Sequence, residues 1–226
     1  MPRSRILPAA FVLALVAAPA ATGCVTLDLR EATEPYVGRT LPGAPTIAIA
    51  EATDRRDEPK RFGRVGWNVF SFSGGAGQKF RNALMSALAD HGYNVRFVGY
   101  KNVLSYEETA RAIKETNADV LLTAAVLELR VFSTDPFFDP AAVDFIAQVS
   151  LLDGDGRTVY TRHIHAHEDK RLWFNPAFGA MDVLDEVMAR TAEYVAGDAE
   201  LERAMRAVTK QGPERVARPA PKEAAR

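Results

Sequence analysis

Three histidines alternate with apolar residues in His163-Ile-His-Ala-His167, and Glu168 follows at once. On a strand, side chains at i, i+2 and i+4 point to one side. Imidazoles joined by a carboxylate are the donor set of zinc and copper sites. The carboxylate has to come from a neighbouring strand, and Asp153-Gly-Asp-Gly156 is a hairpin turn signal just upstream. A loop at Gly154-Asp155 sets His165 opposite Asp144 and His163 opposite Ile146, whereas a loop at Asp155-Gly156 sets His167 opposite Asp144. In both registers the histidines share a face with Asp144, Gln148 and Ser150, and Phe145, Val149 and Ile164 take the core side. The outer histidines lie about 13 Å apart along a strand, too far to share one ion. Only an adjacent pair could chelate, with no third ligand assured. The expectation is no metal, with His163, His165, His167 and Asp144 as the residues that would hold one. The competing reading is a polar, solvent-facing strand whose imidazoles titrate near neutrality beside Asp144.

Ser73-Gly-Gly-Ala-Gly-Gln-Lys79 precedes a helical pattern, so its backbone amides could cradle an anion. The spacing is not that of a P-loop, and a flexible lead-in to the helix is the simpler reading. Asp153-Gly-Asp-Gly156 lacks the ligands of a calcium loop. There is no Gly-x-Ser-x-Gly elbow and no His-Glu-x-x-His. The pair Glu107-Glu108 opens a helix, where the macrodipole accounts for it. No catalytic residue and no cofactor are expected, so the chain reads as non-enzymatic. Two aromatic segments, Phe132 with Phe137 and Phe138, and Trp173-Phe-Asn-Pro-Ala-Phe178, plug sheet ends or form an apolar patch. If exposed, Phe137, Phe138, Trp173 and Phe174 would contact a lipid or a partner protein.

The elements that must position these residues are legible in part. Thr46 to Thr53 reads as a strand, and an Arg-, Gly- and aromatic-rich loop runs to about Gly75. Phe80, Leu84, Ala87, Leu88 and His91 fall at helical spacing, and Gly92 stands where a left-handed cap belongs. Tyr93 to Val98 is a strand. Ser105-Tyr-Glu-Glu108 is a capping-box signature for a helix to about Thr116. Val120 to Phe132 is a long strand, Ala142 to Leu152 alternates cleanly, and Thr158 to Glu168 returns beside it. Met181, Leu184, Val187, Met188, Thr191 and Val195 line one face of a long final helix. The order β-α-β-α-β-β-β-α predicts an α+β single domain: a mixed sheet of about five strands with helices packed on one face.

That domain spans 46–208. Residues 24–45, with Pro35, Pro42 and Pro45, read as a tether that reaches on the order of 70 Å when extended. Residues 209–226 read as a disordered basic tail. The chain has 226 residues, 28 Lys and Arg against 29 Asp and Glu, and 47% apolar residues, which excludes wholesale disorder and leaves no electrostatic footprint for nucleic acid. One cysteine excludes an internal disulfide.

That cysteine stands at a telling place. Arg3 and Arg5 precede an apolar run from Ile6 to Ala21, short for a bilayer span, which makes 1–23 a secretory signal peptide. Ala21-Thr22-Gly23-Cys24 resembles the lipobox of bacterial lipoproteins, with Ala in place of the usual Leu. The resemblance implies that Cys24 is acylated and anchors the chain. With Val25 rather than Asp after the cysteine, it implies the outer membrane, periplasmic face. Residues 46–200 are similar to the YajG-type family of small bacterial lipoproteins: an Ile-Ala-Ile strand followed by Asp54-Arg55-Arg56, then Phe62-Gly63 to Phe70, a helix ending His91-Gly92-Tyr93, Asn117-Ala-Asp-Val120, and the Asp-Gly hairpin. Auxiliary lipoproteins of ABC-type lipid transport show a similar architecture. The resemblance implies an envelope-protein partner, or a transport-auxiliary role, and supplies no catalytic residues. A metal-binding periplasmic sensor is the third reading.

Overall fold

The computed structural model describes residues 24–27, 41–56, 61–65, 68–72, 75–100, 105–133, 141–170 and 176–215. Nine strands and four helices follow in the order β1 (Cys24–Leu27), β2 (Thr46–Ile49), β3 (Thr53–Asp54), β4 (Arg61–Val65), β5 (Asn68–Phe72), α1 (Ala76–Asp90), β6 (Asn94–Phe97), α2 (Tyr106–Thr116), β7 (Val120–Ser133), β8 (Ala141–Leu152), β9 (Thr158–Lys170), α3 (Pro176–Ala196) and α4 (Ala199–Arg215). All nine strands join one mixed sheet.

β7 is the spine of that sheet. β8 runs antiparallel along one edge of it, and β9 pairs antiparallel with β8. The other edge is shared along its length: β2 pairs in parallel at Val120–Leu122, β3 at Ala125–Val126 and β4 at Val131–Ser133. β6 extends the sheet beyond β2, and β5 and then β1 extend it beyond β4.

The strand alternation divides the residues between two cores. Ile47 and Ile49, Val120, Leu122 and Val126, and Val143, Phe145, Ala147 and Val149 face α1, α3 and α4 in the main core. Phe80 meets Phe145 edge-on at 5.0 Å between ring centroids. Ala48, Ala50 and Leu121 point the other way and pack with Val98 and Ala112 under α2. The mixed α+β sheet is therefore as expected, with one helix, α2, on the second face. The small residues of β2 on that side are what let it sit close.

Local signals account for the boundaries. At α1's C-terminus Gly92 takes φ 88°, and the Tyr93 amide bonds back to the Leu88 carbonyl at 3.1 Å. At α2's start the Ser105 amide donates to Glu108 Oε2 (2.8 Å) while the Glu108 amide donates to Ser105 Oγ (3.3 Å), so the capping box is complete. Hydrogen bonding from Ser105 holds the Glu108 carboxyl below its ordinary range.

Four readings of the sequence are corrected. The aromatic stretch before Gly75 is not a plain loop: β4 and β5 form a hairpin in which Val65 pairs with Asn68. Phe62, Val65, Val69, Phe70 and Phe72 are residue types that suit a pleated surface. The tether begins inside the sheet, because Cys24 opposes Val69 and Leu27 opposes Phe72. The long helix read at Met181 to Val195 is α3 but it is not the last, since α3 stops before Gly197 and the Glu200 amide donates to Asp198 Oδ1 at 2.8 Å, an N-cap for a further helix, α4. That further helix runs to Arg215, so residues 209–215 are helical rather than tail.

Candidate functional site

On the face that carries α2, the part of β7, β8 and β9 beyond that helix is a grid of polar side chains. The hairpin register puts Asp144 opposite His167, Ile146 opposite His165 and Gln148 opposite His163. This is the second of the two registers read from the turn. The turn reaches it differently: Asp153 Oδ1 accepts the amides of Asp155 and Arg157, each at 2.9 Å, and a one-residue bulge follows at Val159. The wider loop and the bulge compensate, so the register of a two-residue loop survives.

Asp144 Oδ1 accepts from His167 Nδ1 at 2.7 Å and lies 3.9 Å from His165 Nε2. Phe132, 43% exposed, tilts over the His167 ring at 6.5 Å. His163 lies one pair further along, beside Gln148, and does not join the cluster. Among the described residues no group of three His, Cys, Asp or Glu is placed to hold a metal ion. Further along the face a hollow of about 190 Å³ is lined by Glu51, Thr53, Arg55, Thr123, Gln148 and Ser150 among others. Ser150 Oγ and Thr161 Oγ1 share a hydrogen bond at 2.9 Å, so that serine is paired with a hydroxyl rather than an imidazole. The surface offers donors and acceptors to a polar ligand. The residues of the hollow come from β2–β3, β7, β8 and β9, and no local motif in the sequence marks them.

A second concavity runs along the outer edge of β9. It is an open groove of about 570 Å³ between that strand and α3, with Arg162, Glu168, Arg190 and Tyr194 on its walls. Arg190 donates to Glu168 Oε2 and to Glu186 Oε1, both at 2.7 Å. Arg162 donates to the Tyr194 hydroxyl at 2.9 Å, and its guanidinium lies 3.6 Å from Asp198. The Tyr194 hydrogen bond leads the effects that raise the Arg162 pKa.

Asp198 is the knot at this end. Besides capping α4 it accepts from the Tyr160 hydroxyl at 3.0 Å. Burial first, then that hydrogen bond, push the Tyr160 pKa well above its ordinary 10. A group with a raised folded-state pKa contributes stability that is complete below its unfolded value and declines as pH rises beyond it. Urea titrations of the protein should therefore show stability falling above pH 10, and Tyr160→Phe should flatten that fall. An unchanged alkaline slope in the variant would remove Tyr160 as the cause.

The glycine-rich lead-in to α1 has a packing role. A Cβ on Gly77 would stand 2.3 Å from the Ala52 carbonyl oxygen, and Ala76 and Gly77 are buried. The first turn of α1 is pressed against the β2–β3 connection, which leaves no room there for an anion. Cys24 is placed by its backbone as the first residue of β1. Phe137, Phe138, Trp173 and Phe174 lie outside the described residues.

The protein XCC0632 from Xanthomonas campestris, of family DUF330, is similar in structure: TM-score 0.50 at 11% identity, covering 84% of this chain and 99% of that one. That likeness is one of fold. Looser matches include PelC from Paraburkholderia phytofirmans, crystallised as a dodecamer (TM-score 0.44, 16% identity, 70% of this chain and 93% of that one). Lipoprotein GNA1162 from Neisseria meningitidis gives 0.39 at 12% identity, over 66% and 98%. No family model and no curated protein matches the chain, so the YajG-type resemblance stands on its motifs alone.

Proposed function

We propose that the chain is a lipid-anchored protein of the bacterial envelope whose α+β domain is a non-enzymatic binding module facing the periplasm. The observation that carries the reading is the position of Cys24, the sole cysteine, directly after Ala21-Thr22-Gly23. No helix among the described residues is long and apolar enough to cross a membrane, so an anchor of another kind suits them. One acyl chain holds a protein only marginally, whereas two or more hold it stably. The open polar face of β7–β9 is the part of the domain offered to a partner.

Radioactive palmitate should label the wild-type chain in a bacterial host and sediment with membranes. Cys24→Ser should abolish the label and release the chain. Labelling that survives Cys24→Ser, or wild-type chain that is soluble and unlabelled, would overturn the anchor. In-cell cross-linking of the anchored chain then tests the binding role. Envelope proteins recovered with wild type and lost on Thr123→Lys or Gln148→Lys support the polar face as the contact. Recovery that both substitutions leave untouched overturns it.

A further inference from the structure

We propose that β9 pairs antiparallel with β9 of a second copy, joining two sheets across a two-fold axis at His165. β9 is 13 residues long and pairs only with β8, so its outer edge carries backbone donors and acceptors with no strand partner among the described residues. Such an edge recruits another strand unless its side chains forbid it. The charges on this edge select a partner. With the axis at His165, Arg162 of one copy lies opposite Glu168 of the other, at two symmetric places. Thr161 then faces Asp169, Tyr160 faces Lys170, His163 faces His167, and Ile164 faces Ala166.

Neighbouring registers are worse. An axis at Ala166 sets Arg162 against Lys170, a like-charge pair, and an axis at Ile164 leaves Arg162 and Glu168 facing Ala166 and Tyr160. Registers centred between residues oppose a core-facing side chain to an outward one, which the pleat forbids. The same charges that repel other strands therefore match a copy of themselves in one register. A two-fold interface of this kind must be self-complementary, and this strand is.

The helices fit as well. α3 lies over β8 and β9. Across the joined sheets the two α3 helices stand about two strand spacings apart, roughly 9.6 Å. Packed helices are about 8–10 Å apart. The open groove beside β9 is the space the second strand edge enters, and Tyr194, 53% exposed beside it, gains cover at the seam.

The anchored chain, solubilised in mild detergent, should scatter light as a particle of twice its own protomer mass beyond the detergent's share. His165→Cys should form an intermolecular disulfide under mild oxidation. Opposed residues of antiparallel strands have Cα atoms about 4.5–5.5 Å apart, within disulfide range. Thr161→Cys, which faces Asp169 rather than its own copy, should form none, and the acylated Cys24 has no thiol to add one. Arg162→Glu and Glu168→Arg should each weaken the dimer at least tenfold, and the double exchange should restore it. Because Arg162 and Glu168 also have partners within the chain, His165→Lys is the check on folding. His165 is largely exposed, and a lysine there keeps its place near Asp144 while meeting its own copy at the axis, so the dimer should weaken several-fold with the fold intact. A wild-type chain monomeric at every concentration, a dimer indifferent to His165→Lys, or disulfide formation at Thr161→Cys instead of His165→Cys would overturn the pairing.

Discussion

Replacing Gly77 by alanine should unfold a large part of the domain's stability, on the order of 3 kcal/mol or more by urea denaturation. The added methyl would sit 2.3 Å from the Ala52 carbonyl oxygen and 3.0 Å from its carbon, where real Cβ contacts do not occur. Neither side can yield cheaply. Ala52 is backbone on the β2–β3 connection, between strands paired to β7, and Gly77 is in a buried helical turn. Relief requires α1 to back away from the sheet, carrying Phe80 and Leu84 out of contact. Overpacking a core costs about 1–3 kcal/mol where side chains can adjust, and more where they cannot. Gly154→Ala is the control: its Cβ meets nothing within 4 Å and its φ is unremarkable, so it should be nearly neutral. Equal effects at the two glycines would refute the close-approach account.

Phe145→Ala should cost about 3–5 kcal/mol, the range for deleting a fully buried ring. Phe145 is completely buried on the core side of β8 and meets Phe80 of α1 edge-on. Its ring joins the sheet to a helix across the core, so the loss removes apolar burial and an aromatic pair worth up to about 1.5 kcal/mol beyond it. Ile146 is the next residue on the same strand but faces outward, half-buried. Ile146→Ala should therefore cost much less, about 1 kcal/mol. The contrast measures the two faces of β8 independently of register. A cost at Ile146 matching that at Phe145 would mean that the outer face is covered in solution, and would redirect attention to what covers it.

What the sequence made legible was the local chemistry. The capping box at Ser105, the left-handed glycine at 92 and the alternation of β8 each depend on residues close together in the chain, and each is present. The face carrying the histidines followed from period-two patterning, whichever loop the turn used. What escaped was set by distant contacts. β4 and β5 hold Gly, Arg and Asn that weaken any strand signal, and they become strands because β7 gives β4 an edge. The helix after α3 starts from its N-cap Asp198, which is unremarkable in sequence until Tyr160 and Arg162 converge on it. For the candidate site, Asp144 and the histidines were found because one turn links them. The hollow near Ser150 was missed because its residues are drawn from four separate strand segments.

The sharing of one edge of β7 by β2, β3 and β4 governs the order in which the protein can form. Ile47 waits for Val120, and Gly63 for Val131, so each early strand finds its place only after roughly seventy more residues are available. β7, β8 and β9, by contrast, form a meander of neighbours with short loop closures. Loop-closure entropy falls on the parallel pairings, and contact order makes them slow. A chain delivered amino end first therefore carries β1 to β5 exposed through most of its synthesis or transport. Folding starts at its far end, and the first residue of the sheet, Cys24, is tied down on β5 only when β4 has docked.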